Sequence, residues 1–229
     1  MTSTARGARA RARIEVTAAI KEEARRQLAA EGAAKLSLRA VARELGMVSS
    51  ALYRYFPSRD DLLTALIIDA YDSLGERAEA AHSAVAEAEP VRRWVTVCEA
   101  VRGWAQAHPH EYALIYGTPV PGYSAPQTTV PAASRVPFLL IGILRDAHRG
   151  PGLEVPLLTD EVVPEAVRMA GDVAPDLPPG VVAALVAAWA QLYGLVGFEL
   201  FGQFHRVVED REPFFRHAVT RLAHGVGLR

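Results

Sequence analysis

The chain of 229 residues has a single cysteine, Cys98. That excludes a disulfide-stapled scaffold and any zinc site built on cysteine pairs. A lone thiol in this context reads as a small buried hydrophobe rather than a redox sensor. Alternation of apolar and polar residues, the mark of a half-buried strand, is almost absent, so the fold class is all-α. There is no Gly-x-Ser-x-Gly, no Walker loop, no Gly-x-Gly-x-x-Gly and no His-Glu-x-x-His. Those absences remove the best-marked hydrolase, nucleotide-binding and zinc-protease chemistries. His108-Pro109-His110-Glu111 holds possible metal ligands, but Pro109 parts the two rings across a helix start and nothing clusters with them. His217 and His224 are seven apart on one helix with no third partner. The expectation is therefore no catalytic residue, no metal and no cofactor. The N-terminus is rich in arginine without an apolar segment behind it, unlike a secretory signal, which points to the cytoplasm.

Half of the residues are apolar and 22% are charged, enough for a folded core in one large or two modest domains. One run, Val181 to Phe198, carries no charge over 18 residues and just reaches membrane-spanning length. Ala183, Ala184, Ala187, Ala188, Ala190 and Gly194 make it weakly hydrophobic, Gln191 interrupts it, and no Lys/Arg cluster flanks it. A buried helix in a core or a subunit interface fits better than a membrane span. Glu199 closes the run. A lone acid there is either paired or functional, because burying it alone is costly, or it points to solvent near a helix end.

The net charge of −1 hides a split. Residues 1–60 carry 12 basic and 6 acidic side chains, net +6; residues 61–229 carry 13 and 20, net −7. A basic head facing nucleic acid and an acidic body that DNA repels would produce this asymmetry. Residues 1–13 read as a flexible basic arm, with Arg6, Arg9, Arg11 and Arg13 and no apolar stripe. A helix over about 14–31 follows, with Val16, Ile20, Ala24 and Leu28 on one face. Ser37 is placed to cap a short helix over 38–45, and Gly46 to end it in the left-handed conformation. A third helix runs about 49–56 until Pro57 stops it. Ser58 then caps a long helix over 58–82, with Asp60 and Asp61 in the first turn, where the helix dipole favours acids.

The two short helices around Gly46 form a helix-turn-helix. A tight turn lets the second helix protrude into the major groove while the first lies across the backbone. That recognition helix presents Ser49, Ser50, Ala51, Tyr53, Arg54 and Tyr55. Small residues permit close approach, hydroxyls reach base edges or phosphates, and Arg54 can pair with a guanine edge or a phosphate. The domain reading is a basic arm (1–13), a DNA-binding domain (14–57) and a helical ligand-binding and dimerisation body (58–229).

In the body, helices are expected at about 90–107, 109–117, 132–149, 160–170, 178–205 and 212–226. The long loop Gly117–Pro131, with four prolines, is of a length usually functional or mobile. Trp94, Trp104, Glu111, Tyr112, Tyr116, Trp189 and Tyr193 are candidate walls of a site for a small lipophilic effector, although an aromatic at helical spacing is more often core than ligand wall. Helices 178–205 and 212–226 are the dimer candidates, since Ala187, Ala190, Gly194, Gly197 and Gly202 allow close helix approach, two helices from each subunit making a four-helix interface.

The string Ser37-Leu-Arg-Ala-Val-Ala-Arg-Glu-Leu-Gly46, then Ala51-Leu-Tyr-Arg-Tyr-Phe56, then Ser58-Arg-Asp-Asp-Leu-Leu63 resembles the signature of TetR-type transcriptional repressors. The likeness covers about residues 14–65. It implies a three-helix DNA-binding head and a fourth helix leading to a ligand-binding, dimerising body. It implies that Ser37 and Arg39 touch phosphate at the start of the second helix, that Tyr53 and Tyr55 touch the DNA backbone, and that Arg59, where the family usually has Lys, touches phosphate. One departure is Gly46-Met47-Val48 where the family reads Gly-Val-Ser; Val48 cannot cap, so Ser49 takes that role in this reading. Tyr112-Ala-Leu-Ile-Tyr-Gly-Thr-Pro-Val-Pro-Gly-Tyr123 and Leu195-Val-Gly-Phe-Glu-Leu-Phe-Gly202 also resemble a subgroup of that family. The functional expectation is a homodimeric repressor on a palindromic operator of double-stranded DNA, released by a small molecule. The alternative is a helical enzyme or carrier with an accessory DNA-binding head; a further one is a regulator governed by a partner protein.

Overall fold

The computed structural model describes residues 2–229, with side chains from Gly7 onward apart from Arg9. Among the described residues there are eleven α-helices and two single-turn 3-10 helices (Ala33–Lys35 and Gln127–Thr129): α1 (Thr2–Glu31), α2 (Leu38–Glu44), α3 (Ser49–Leu52), α4 (Arg59–Ser83), α5 (Pro90–Ala107), α6 (Pro109–Tyr116), α7 (Val130–Ala133), α8 (Arg135–Arg149), α9 (Val163–Val173), α10 (Pro179–Leu200) and α11 (Arg211–Gly225). The protein is all-α, as the missing β-periodicity requires.

Two elements differ from the sequence reading for local reasons. The stretch expected to be a flexible arm is helical from Thr2, continuous with the rest of α1. Alanine and arginine are strong intrinsic helix formers, and no proline stands before Ile14, so the helix carries the single Gly7 and extends without an apolar stripe. The recognition helix is α-helical only over Ser49–Leu52. Beyond it Arg54 N bonds Ala51 O at 3.3 Å and Tyr55 N bonds Leu52 O at 2.8 Å, the tighter spacing of a frayed last turn ahead of Pro57.

The chain folds as two compact units, Met1–Tyr71 with His110–Val130, and Asp72–Pro109 with Pro131–Arg229. This division lies elsewhere than the boundary drawn at residue 57. Leu62, Leu63 and Leu66 of α4 complete the core of the first unit with Ile20, Ala24 and Leu28 of α1, Val41 and Ala42 of α2, and Leu52 and Phe56. Leu114, Val120 and Tyr123 pack against the same core from the later segment.

The second unit is built around α5, whose buried face runs Trp94, Val97, Cys98, Val101, Trp104 and Ala105. It packs against α8, α10 and α11, and α9 lies on α10. Burial pushes the Cys98 thiol well up, so it is held as a thiol and packs as a hydrophobe. α10 is the one described helix long and apolar enough to cross a membrane. Its Val181, Val182, Leu185, Ala188, Leu192 and Val196 are nonetheless buried within the unit.

Glu199, whose state the sequence left open, is paired. Arg102 of α5 grips it with two bonds of 2.7 Å, Nε to Oε2 and Nη2 to Oε1, and Gln106 adds a third at 2.9 Å. The Arg102 guanidinium also lies 5.3 Å over the Phe215 ring of α11. One side chain thus ties α5 to both α10 and α11. The two side chains are 15% and 8% exposed, so losing one partner strands a largely dehydrated charge. Arg102→Ala is expected to cost about 2–3 kcal/mol, below the range for a fully enclosed pair because water reaches the rim. The bond from Arg102 holds the Glu199 carboxyl below the usual carboxylate range. A depressed folded pKa contributes stability that is complete above the unfolded value, about pH 4.3, and lost as pH falls through the folded one. Melting temperatures between pH 7 and pH 3 should show a shallower acid limb for Glu199→Gln than for the wild type. An unchanged limb would remove the pair from the acid response.

Candidate nucleic-acid interface

The head is assembled by local rules that the sequence states. Ser37 caps α2, its Oγ accepting from Ala40 N at 3.4 Å, which leaves the hydroxyl proton free to be donated outward. Gly46 has φ +63°, and the chain reverses there through Gly46 N to Arg43 O (3.1 Å) and Met47 N to Ala42 O (2.8 Å). A side chain at 46 would be strained in that conformation, which is why the turn is glycine. Ser58 caps α4 reciprocally, accepting from Asp61 N at 3.1 Å and donating to Asp61 Oδ2 at 2.7 Å. Ser49 does not cap α3, contrary to the sequence reading. Val48 stands at the cap position with φ −69° and ψ 136° and no side-chain bond, and Ser49 is the first helical residue. The short helix gains its place from Leu52 in the core, not from a cap.

On the outer face of this scaffold Arg39, Ser50, Tyr53 and Arg54 are exposed, Tyr53 at 41%. Ser37, Ser49, Ala51 and Tyr55 are half-buried beside them. Most cations of the head are engaged: Arg43 with Glu44, Arg26 with Glu23, and Lys21 and Arg25 with Asp69. Arg39 and Arg54 hold no ion pair or hydrogen bond to another described residue. A positive charge without an internal partner at the lip of a helix-turn-helix is what a phosphate or guanine edge recognises.

Two further residues act behind that face. Arg59 sends Nε to Leu36 O (3.2 Å) and Nη2 to Ala33 O (2.8 Å) and Ala34 O (3.2 Å). Where the resemblance implies a phosphate contact, the structure thus places a clamp between α4 and the turn before α2. Arg13 lies 5.2 Å over the Tyr55 ring and fixes that ring from α1. This contact was not legible in the sequence, because it joins residues 42 apart with no local pattern.

The candidate effector residues separate. Trp94, Trp104, Trp189 and Tyr193 belong to the second unit, while Glu111, Tyr112 and Tyr116 belong to the first. Trp104 Nε1 donates to Ser73 Oγ at 3.0 Å and its ring stacks on His108. Trp189 is partly exposed beside Tyr193. Tyr116 meets Tyr71 edge-on at 5.8 Å, and Glu111 stands 3.8 Å from Arg25 Nε. Trp94 is completely buried, and its Nε1–H has no acceptor in reach. Among the described residues no three metal-ligating side chains converge.

On α10 the expected contact residues Ala187, Ala190 and Gly194 are exposed, Gly197 is half-buried, and Gly202 lies past the helix end in a turn. Phe198 and Phe201 extend the same apolar strip, 53% and 48% exposed.

Residues 20–66 match the family described as bacterial regulatory proteins, tetR family, and residues 94–222 match the tetracyclin repressor-like C-terminal domain. HTH-type transcriptional regulators of Mycobacterium tuberculosis and Mycobacterium bovis are each 42% identical to the chain over 207 residues, covering 86% of both chains. The crystal structure of the regulatory protein SCO4313 is 33% identical, with a TM-score of 0.77 over 93% of this chain and 98% of that one.

Proposed function

Because the chain belongs to the TetR family of bacterial transcriptional regulators, DNA-binding proteins and not enzymes, we propose that it is a cytoplasmic, homodimeric repressor that a small lipophilic molecule releases from a palindromic operator. The observation that carries the DNA-facing part is the unpaired Arg39 and Arg54 beside exposed Ser50 and Tyr53. The exposed strip Ala187, Ala190, Gly194 and Phe198 supports the dimer, since a monomer gains nothing by leaving it open to water. The orphaned Trp94 Nε1–H supports the effector: a buried donor without an acceptor costs about 1–3 kcal/mol, which a carbonyl, phenol or ether oxygen on the effector recovers.

The mechanism follows from differential binding. The effector stabilises a state in which α4 has swung, so the two heads no longer match the half-site spacing. Only an effector that prefers that state releases DNA; tight binding alone does not. A panel of lipophilic compounds tests this. Some of those that raise the melting temperature of the free protein should lower its operator affinity, and operator DNA should weaken their binding by the same factor; a panel in which every stabilising compound leaves DNA binding unchanged would remove the releasing mechanism.

The helical N-terminal extension has its own test. Each phosphate that a protein cation neutralises adds about 0.9 to the slope of log K against log salt. Deleting residues 1–12 should make that slope shallower; an unchanged slope would show that the extension touches no phosphate.

A further inference from the structure

The segment Tyr112–Tyr123 stands out in the sequence, yet it has no part in the DNA-facing surface. In the structure it is folded into the head. Leu114, Val120 and Tyr123 lie against the core formed by α1, α2 and α4. Val120-Pro121-Gly122-Tyr123 makes a tight turn closed by Tyr123 N to Val120 O at 3.1 Å. Proline at its second place and Gly122 with φ +78° at its third are the requirements of a type II turn, so the direction of Tyr123 is preset by its neighbours.

Tyr123 uses that direction. Its hydroxyl and Thr64 Oγ1 are 2.9 Å apart, a hydrogen bond between residues 59 apart in sequence. Thr64 is on α4, flanked by the buried Leu62, Leu63 and Leu66. One turn further along α4, Asp69 receives Lys21 and Arg25 of α1, each at 2.7 Å, and Arg25 also faces Glu111 of α6. Within the head, α4 is therefore held to α1 by ion pairs and to the Pro-rich turn by a hydroxyl bond.

We propose that Tyr123 is a positioning residue for operator binding. By bonding Thr64 and covering the head's core, the turn 120–123 fixes the first half of α4 against α1–α3 and so sets the orientation of the recognition face. This inference rests on the reading of Arg39, Ser50, Tyr53 and Arg54 as that face. It gives the loop a task beyond joining helices, and it makes the segment 110–130 a working part of the DNA-binding unit.

Operator orientation and general adhesion to DNA respond differently to such a device. Misaligned heads lose contacts to base edges but keep most of their attraction for phosphate. A residue that only keeps the protein folded would change both together. The test uses the full-length protein, an operator enriched by the wild type from a random-sequence duplex pool, and a scrambled duplex of equal length. Affinities are read by fluorescence anisotropy well below each variant's melting temperature. Tyr123→Phe and Thr64→Val should each weaken operator binding by up to about thirtyfold, the factor carried by ~1 kcal/mol for the hydrogen bond lost in each of two subunits. The double variant should lose no more than either single one, because both remove the same bond. Tyr123→Ala should lose more, and the scrambled duplex should be bound as before by all four.

Operator affinity unchanged in Tyr123→Ala would overturn the proposal, as would equal losses on both duplexes or losses that multiply in the double variant. A pool that enriches no sequence would sink the reading of the DNA face, and this inference with it. Enrichment followed by an indifferent Tyr123 sinks this inference alone.

Discussion

Arg54→Ala is expected to lower operator affinity by roughly thirtyfold or more while leaving the melting temperature of the protein in place. Arg54 is exposed and holds no ion pair or hydrogen bond to another described residue, so its removal strands nothing and opens no cavity among them. The loss is confined to the complex. A base-edge contact is worth about 1–3 kcal/mol, and a symmetric dimer loses it twice, so the total is about 2–6 kcal/mol. Comparison with Arg54→Lys separates the two roles open to the guanidinium. Lysine keeps the charge but cannot reproduce the planar two-donor fork, so a phosphate contact survives the change in large part and a guanine contact does not. Competition with unrelated DNA reads the difference. If Arg54→Ala binds the operator as the wild type does, the DNA face has been drawn in the wrong place.

Gly194→Glu should dissociate the proposed dimer without harming the protomer. A side chain built at 194 meets nothing within 4 Å, and glutamate is a better helix former than glycine by up to about 1 kcal/mol, so the isolated chain should be as stable as before or more so. In a two-fold interface the same substitution appears twice, placing two unpaired carboxylates in an apolar strip. Light scattering should then show a monomer of 24.8 kDa. Operator affinity should fall about a hundredfold or more, because the second head no longer benefits from the high effective concentration that dimerisation provides. A stable dimer that still binds DNA would show that this strip of α10 lies outside the interface.

What the sequence revealed and what it hid divide along the reach of the interactions. The head was legible because its rules are local. Ser37 and Ser58 cap the helices that start beside them, and Gly46 turns the chain where only glycine is unstrained. The Leu62, Leu63 and Leu66 spacing faces one core. The helical state of residues 2–13 leaves no mark in apolar periodicity, because intrinsic propensity and not a buried face sustains it. The long-range ties inside the head and inside the body are invisible in the sequence for another reason. Arg102 meets Glu199 across 97 residues, and Tyr123 meets Thr64 across 59, so no spacing rule announces either. A faint signal did exist for the second. Pro121-Gly122 marks a tight turn, and the length of the Pro-rich loop marks a segment with a task. The seven candidate effector residues show the limit of composition as a guide. They share a chemistry, but the fold distributes them over two units.

In the proposed dimer two identical heads read DNA symmetrically. Sequencing the duplexes that the full-length protein enriches from a random pool tests it most directly, with hydroxyl-radical footprinting of the winner. The expected winner is an inverted repeat whose half-site centres lie one helical turn, about 34–36 Å, or a small multiple of it apart, protected equally on both halves. Enrichment of a single asymmetric site protected on one half only, or no enrichment at all, would contradict it.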